Sequence, residues 1–235
     1  MALLLPDRGL RKRAGPFLRR VDAILRAAHK TAPLGNKRNP LDELMFIQMT
    51  VRTRNGFSAE IYKRIRREID GKWERLLHMP VMKLQALLRP AGMAKVKAAR
   101  LRGIISGIQQ EFGSITLAPL ASMTDEAAEC FLRSLPGIGP KVARCVLLFS
   151  LGRTVFPVDT HCRRIIRRFG FLPAGIDDKK SQDFLQALVP RSIRHTLHVN
   201  LVHHGSKFCR PHHPLCGACP LSRFCPMGQT RLRPN

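Results

Sequence analysis

A chain of 235 residues, 44% of them hydrophobic, can build one large core or two modest ones. Its 41 Lys and Arg against 16 acids, a net charge of +25, repel basic partners and attract a polyanion, and because the cations recur along the chain they suit DNA or RNA better than a membrane surface. No run approaches the roughly 18 apolar residues of a membrane span, and one Trp and one Tyr are too few for a single-strand stacking platform.

The opening "MALLLP" meets Asp7 and Arg8 too early for a secretory signal. The Arg-rich stretch up to Lys30 has the composition of a transit peptide, but "FLRRVDAILRAAHK" reads equally well as an amphipathic helix with Phe17, Val21, Ile24, Leu25 and Ala28 on one face. After the loop "TAPLGNKRN" a helix is expected with Asn39 as N-cap, Pro40 at its first position, and Asp42 and Glu43 in its first turn. Its Leu41, Leu44, Met45, Ile47 and Met49 are the expected core residues. Further helices are expected over 58–69, 72–78, 81–88, 94–111 and 125–134, then from Pro140, and from Asp159 to a stop at Gly170. Val, Ile and Thr never alternate with polar residues over a strand length, so the expected class is all-α, and "TRLRPN" reads as a frayed tail.

"LPGIGPK", residues 135–141, has glycines and a lysine but fits neither the phosphate-loop spacing nor the dinucleotide-binding pattern. It reads as a turn between two helices, with Gly137 and Gly139 allowing tight backbone geometry and Pro140 opening the second helix. The N–H groups at that helix start can hold a phosphate without reading a base. Lys141, in the first turn, is either a phosphate partner or a nucleophile; the helix dipole and cations such as Arg144 would disfavour its protonation.

In "VFPVDTHCRRIIRRFG", Asp159 sits where an N-cap carboxylate accepts helix N–H bonds and stays ionised, and many aspartates so placed are only caps. A helix over 140–150 runs about 16 Å outward, and residues 152–158 can span up to about 24 Å back, enough for Asp159 to return toward Lys141. Four of the seven cysteines follow as Cys209-x6-Cys216-x2-Cys219-x5-Cys225. One compact loop with a single C-x2-C favours a [4Fe–4S] cluster over zinc, which more often uses two close pairs, and an odd cysteine count speaks for a reducing compartment. The nearby His203, His204, His212 and His213 are read as polar surface or phosphate contacts rather than ligands.

These segments, in this order, resemble the helix-hairpin-helix (HhH-GPD) DNA glycosylases, and within them the endonuclease III branch: "LPGIGPKVA" is similar to the hairpin, "VDTHCRR" to the catalytic-aspartate segment and "LVHHGSKFC" with its cysteines to the iron–sulfur loop. The resemblance covers roughly residues 16 to 226. It implies an all-α fold of two lobes, a six-helix barrel over 34–153 and a cluster domain of 1–33 with 154–235, with DNA between them. It also implies excision of flipped, oxidised pyrimidines from duplex DNA, with Lys141 as nucleophile and Asp159 as the carboxylate.

Cys209, Cys216, Cys219 and Cys225 would hold the [4Fe–4S] cluster as a structural group. Gly137, Gly139, Arg144 and Lys207, with Arg210 and Arg223, would contact DNA. The partner is damaged or abasic double-stranded DNA, bound by a monomer with no membrane association. The implied location is cytoplasmic and nucleoid-associated in a bacterium, otherwise nuclear or mitochondrial.

Departures fall at the lesion pocket, where the family has a Ser-Ala-Gln-x-Thr-Asp type of segment and this chain has "TVRTRNG". Arg52 replaces the glutamine that fills the vacated stack and Asn55 the pocket aspartate. Met93 falls where a leucine wedge is usual, and Arg133 where many relatives carry glutamate; His161 completes the expected pocket. A monofunctional mismatch glycosylase and a DNA-binding scaffold with little activity stand as alternatives.

Overall fold

The computed structural model describes residues 4–50 and 58–232. Among these every regular element is helical. The chain divides into two compact units, Asn36–Arg153, and Met1–Gly35 with Thr154–Asn235. No helix among the described residues is long and apolar enough to cross a membrane.

In the Asn36–Arg153 unit, α2 (Pro40–Thr50) starts as expected, with the Asn39 Oδ1 accepting from the N–H groups of Leu41 (2.9 Å) and Asp42 (3.1 Å). Leu41, Leu44, Met45, Ile47 and Met49 are all buried. So are Glu43 and Gln48, which periodicity assigns to no core. α3 (Ser58–Glu68), α5 (Val81–Leu88), α6 (Ala94–Phe112), α7 (Asp125–Ser134) and α8 (Pro140–Phe149) lie where the sequence puts them. The helix expected over 72–78 is only α4 (Arg75–His78), because the preceding residues turn on the left-handed Asp70 and Gly71. α2 packs on α3 and α8, α5 on α6, and α7 on α8. Gly103 and Gly107 let α6 approach the turn after α7: a Cβ at either would come within 2.8 Å of Pro136 or Leu135.

In the other unit, α1 (Arg8–His29) is longer than the sequence suggests, starting on an Asp7 cap. Its buried face is Ala14, Leu18, Val21 and Leu25, with Phe17 and Ile24 at the margin and Ala28 exposed, so the apolar stripe lies one residue round from the expected one. It packs on α11 (Arg194–Lys207) and α10 (Asp178–Leu188), and α11 packs on α9 (Thr160–Arg168). Phe17 meets Phe169 and Phe171 edge to face at 5.2 and 5.0 Å, geometry that suits the ring quadrupoles. α10 and α11 lie beyond the helices the sequence was read to contain. α12 (Pro226–Leu232) takes Thr230, Arg231 and Leu232 out of the expected frayed tail.

Candidate active site and cysteine centre

The stretch 135–141 is a turn between α7 and α8. Gly137 has φ +77°, a backbone conformation that favours glycine, and a Cβ there would lie 2.6 Å from the Arg100 Cδ, so that side chain would have to shift. Gly139 is the N-cap of α8 in an extended conformation, with no side chain of its own to cap the helix, and Pro140 follows it. The Gln48 side-chain amide donates to the Gly137 carbonyl (3.4 Å), tying the turn to α2.

Lys141, half-buried in the first turn of α8, has Glu43 as an electrostatic neighbour. The Glu43 carboxyl is fully buried and accepts from the Asn36 Nδ2 (2.5 Å) and the Lys37 N–H (2.6 Å). Burial raises its pKa, while those bonds and the charges of Lys37 and Lys141 pull the other way. Arg144, expected from the sequence as a DNA contact and a cation near Lys141, is 4% exposed and its Nε donates to Glu129 (2.9 Å) within the α7–α8 pair. Arg133 is exposed on α7 and reaches the same Glu129 at 3.5 Å.

Met93 precedes α6 in a left-handed conformation (φ +53°) and is 44% exposed. A large side chain in this region costs about 1–3 kcal/mol of backbone strain, a cost often met at functional positions. Arg52 and Asn55 lie outside the described residues.

Asp159 and His161 belong to the other unit. The approach Val155–Val158 is buried but pairs with no strand; its backbone is met by side chains of α10. The Phe156 N–H donates to the Gln186 Oε1 (2.6 Å), and Gln182 accepts from the Val158 N–H (3.2 Å) and donates to its carbonyl (2.7 Å). This fixes where the chain delivers Asp159, whose Oδ1 accepts from the Cys162 N–H at 2.7 Å as the cap of α9. Burial opposes the charge of this carboxyl, but His198, the Cys162 N–H and His161 outweigh it and hold the pKa below the usual carboxylate range. The group is therefore a carboxylate at neutral pH.

His161 lies against Gly205, where a Cβ would come within 2.5 Å of its ring. Arg164 places its Nη2 3.0 Å from the His161 Nδ1 and donates to the Gly205 carbonyl (2.9 Å).

Cys209, Cys216, Cys219 and Cys225 line one cavity, walled by Phe208, Leu215 and Met227 among others. Burial above all, and then the other three cysteines, push the Cys219 thiol up to about 11. Four cysteine sulfurs around a largely apolar cavity are a donor set that could hold a cationic group. Among the described residues no three His, Cys, Asp or Glu side chains converge tightly enough for one metal ion.

Arg168, which sequence reasoning missed, donates to the Cys209 Sγ (2.9 Å) and to the carbonyls of Arg210 (2.9 Å) and Pro211 (3.1 Å). Its signal was present: Arg164 and Arg168 stand four apart on α9 and face one way. His204 corrects the surface reading. It is 1% exposed, stacked on Phe208, with its Nε2 3.4 Å from the Cys219 Sγ, and burial lowers its pKa to about 4, so it is neutral. His203 reaches the Ala32 carbonyl at 2.7 Å, while His212, His213, Lys207, Arg210 and Arg223 are exposed.

A candidate DNA glycosylase of Arabidopsis thaliana is 30% identical over 72% of this chain, which spans 57% of that protein's length. Endonuclease III of Sulfolobus acidocaldarius is 29% identical over 65% of this chain and 66% of its own. The solved structure of a non-covalent endonuclease III–DNA complex shares the fold, with a TM-score of 0.80 at 21% identity, covering 93% of this chain and 98% of the other. The family model for HhH-GPD superfamily base excision DNA repair proteins matches residues 46–191, which contain the hairpin, Lys141 and Asp159, and the chain belongs to that family.

Proposed function

We propose that the protein is a bifunctional DNA glycosylase that removes damaged bases, oxidised pyrimidines first among them, from duplex DNA and nicks the resulting abasic site. The observation that carries this reading is the hairpin: a glycine turn and an α8 start with no side-chain cap, offered to a phosphate, with Lys141 half-exposed beside them. The Lys141 amine attacks the sugar C1′ as the bond to the base breaks; the base leaves with the electron pair and takes a proton, and the amine loses one. Ring opening gives a Schiff base, and loss of a C2′ proton expels the 3′ phosphate. The Asp159 carboxylate stabilises the positive charge that grows at C1′. Duplex DNA with a damaged or abasic nucleotide is the partner, a monomer is the acting form, and the location is that of the DNA: nucleoid, nucleus or mitochondrion.

We assign the four cysteines to a [4Fe–4S] cluster, which when bound cross-links the loop and takes no part in base removal. Arg168 then stabilises thiolate charge at Cys209, and neutral His204 closes the cavity at Cys219. Purified protein should carry about four irons per chain, as a cubane requires; stoichiometric zinc would overturn this assignment. The activity is tested by borohydride trapping on abasic DNA and by a panel of single-lesion duplexes scored separately for base release and nicking. Base release without trapping would point instead to a monofunctional enzyme, and binding with neither to a scaffold.

A further inference from the structure

Lys97, on α6, is buried to 4% exposure, and its Nζ donates to the carbonyls of Ala91 (2.8 Å) and Met49 (3.0 Å). Its own backbone N–H donates to the Met93 carbonyl (2.9 Å). The two donors of one residue thus bracket the turn 91–93, in which Gly92 (φ +69°) and Met93 (φ +53°) both adopt left-handed backbone and Met93 is displayed to solvent. The bond to Met49 anchors this turn to the last turn of α2, three residues before Arg52. Burying an ammonium is expensive, and an apolar side chain would fill the same space more cheaply. What lysine adds is direction: it receives the outward carbonyls at a helix end, where a cation is favoured, and fixes two main-chain segments against each other.

We infer that Lys97 is a positioning residue for base opening, holding the Met93 turn rigid so that Met93 can enter the duplex as a wedge. The inference rests on the proposed glycosylase reading. A wedge must push against stacked bases, and a flexible methionine on a strained turn transmits that push only if its backbone cannot relax.

The test uses the full-length protein and a duplex with 2-aminopurine opposite a stable abasic analogue, so that wedge insertion is read as a fluorescence rise at saturating protein and affinity separately by anisotropy. Lys97→Met should cut the rise at least about fivefold while affinity changes less than about threefold, since unstacking is what the wedge supplies and phosphate contacts are untouched. A matching loss of affinity with an unchanged rise per bound protein would overturn the inference, leaving Lys97 a structural residue only. Gly92→Ala guards against a Lys97→Met protein that does not fold. No atom lies within 4 Å of the added Cβ, so it strains only the turn, and it should reproduce the selective loss; an unchanged rise would again overturn the inference. Wild-type protein trapped by borohydride on abasic DNA but giving no rise would remove the wedge and leave the glycosylase standing. Wild-type protein that neither traps nor binds would bring down the glycosylase reading and this inference with it.

Discussion

The starts of α8 and α9 solve the same electrostatic problem in opposite ways. Both present backbone N–H groups at the positive end of a helix. At α9 the chain supplies its own anion, Asp159, which accepts from the Cys162 N–H and is held ionised by His198 and its other neighbours. At α8 the cap is Gly139, which has no side chain to bond to the helix, and Lys141 stands two residues beyond. The difference teaches that a helix start either takes an anion from the chain itself, and so stores a charge of the protein's own, or is left without a side-chain cap.

The comparison can be broken at either end. The largest effect is expected from Lys141→Ala, which should abolish borohydride trapping while DNA binding persists; any remaining adduct would remove Lys141 as nucleophile. Asp159→Asn keeps a good N-cap and removes only the charge, so base release should slow about 10²–10³-fold, the scale of a lost electrostatic contact to a transition state. Because the folded pKa of Asp159 is depressed, its charge stabilises the fold above the unfolded value of about 3.9, and that contribution is lost as pH falls through the folded value. Melting curves of the wild-type and Asp159→Asn proteins should therefore converge as pH is lowered through this window and separate above it.

Gly137→Ala should cost about 1–2 kcal/mol, since alanine is strained at φ +77° and its Cβ would press on Arg100. Chemical denaturation reads that loss, and weaker binding to undamaged duplex should accompany it. Gly139→Asp makes the start of α8 resemble that of α9. Nothing lies within 4 Å of the new Cβ, and the better cap should raise stability by only a few tenths of a kcal/mol. The same carboxylate would occupy the place offered to a phosphate and repel DNA, weakening binding about tenfold at low salt. Stabilisation without loss of affinity would mean that this helix start does not hold DNA.

The all-helical class, most helix limits, the Asn39 cap and the five apolar anchors of α2 were legible because 3.6-residue spacing and capping chemistry are local. The hairpin turn was legible for the same reason: Gly137 by its missing Cβ and Pro140 by its ring each signal a particular backbone conformation. The polar interior was not. Glu43, Lys97, Arg144 and His204 look in sequence like solvated groups, and their burial depends on partners 6 to 175 residues away, such as Asn36, Lys37, Met49, Glu129 and His29. The extended approach to Asp159 likewise takes its hydrogen bonds from Gln182 and Gln186 on a helix the sequence reading did not name.

The sequence by itself thus determined most of the helices, the lysine, the aspartate and the four cysteines, because composition and short spacing encode them. Only the tertiary structure decided that Arg144 is spent on an internal ion pair, that His204 is neutral beside Cys219, and that Lys97 clamps the Met93 turn. Each of those outcomes is set by burial and by the partner within hydrogen-bond reach, and neither is written in the local order of residues.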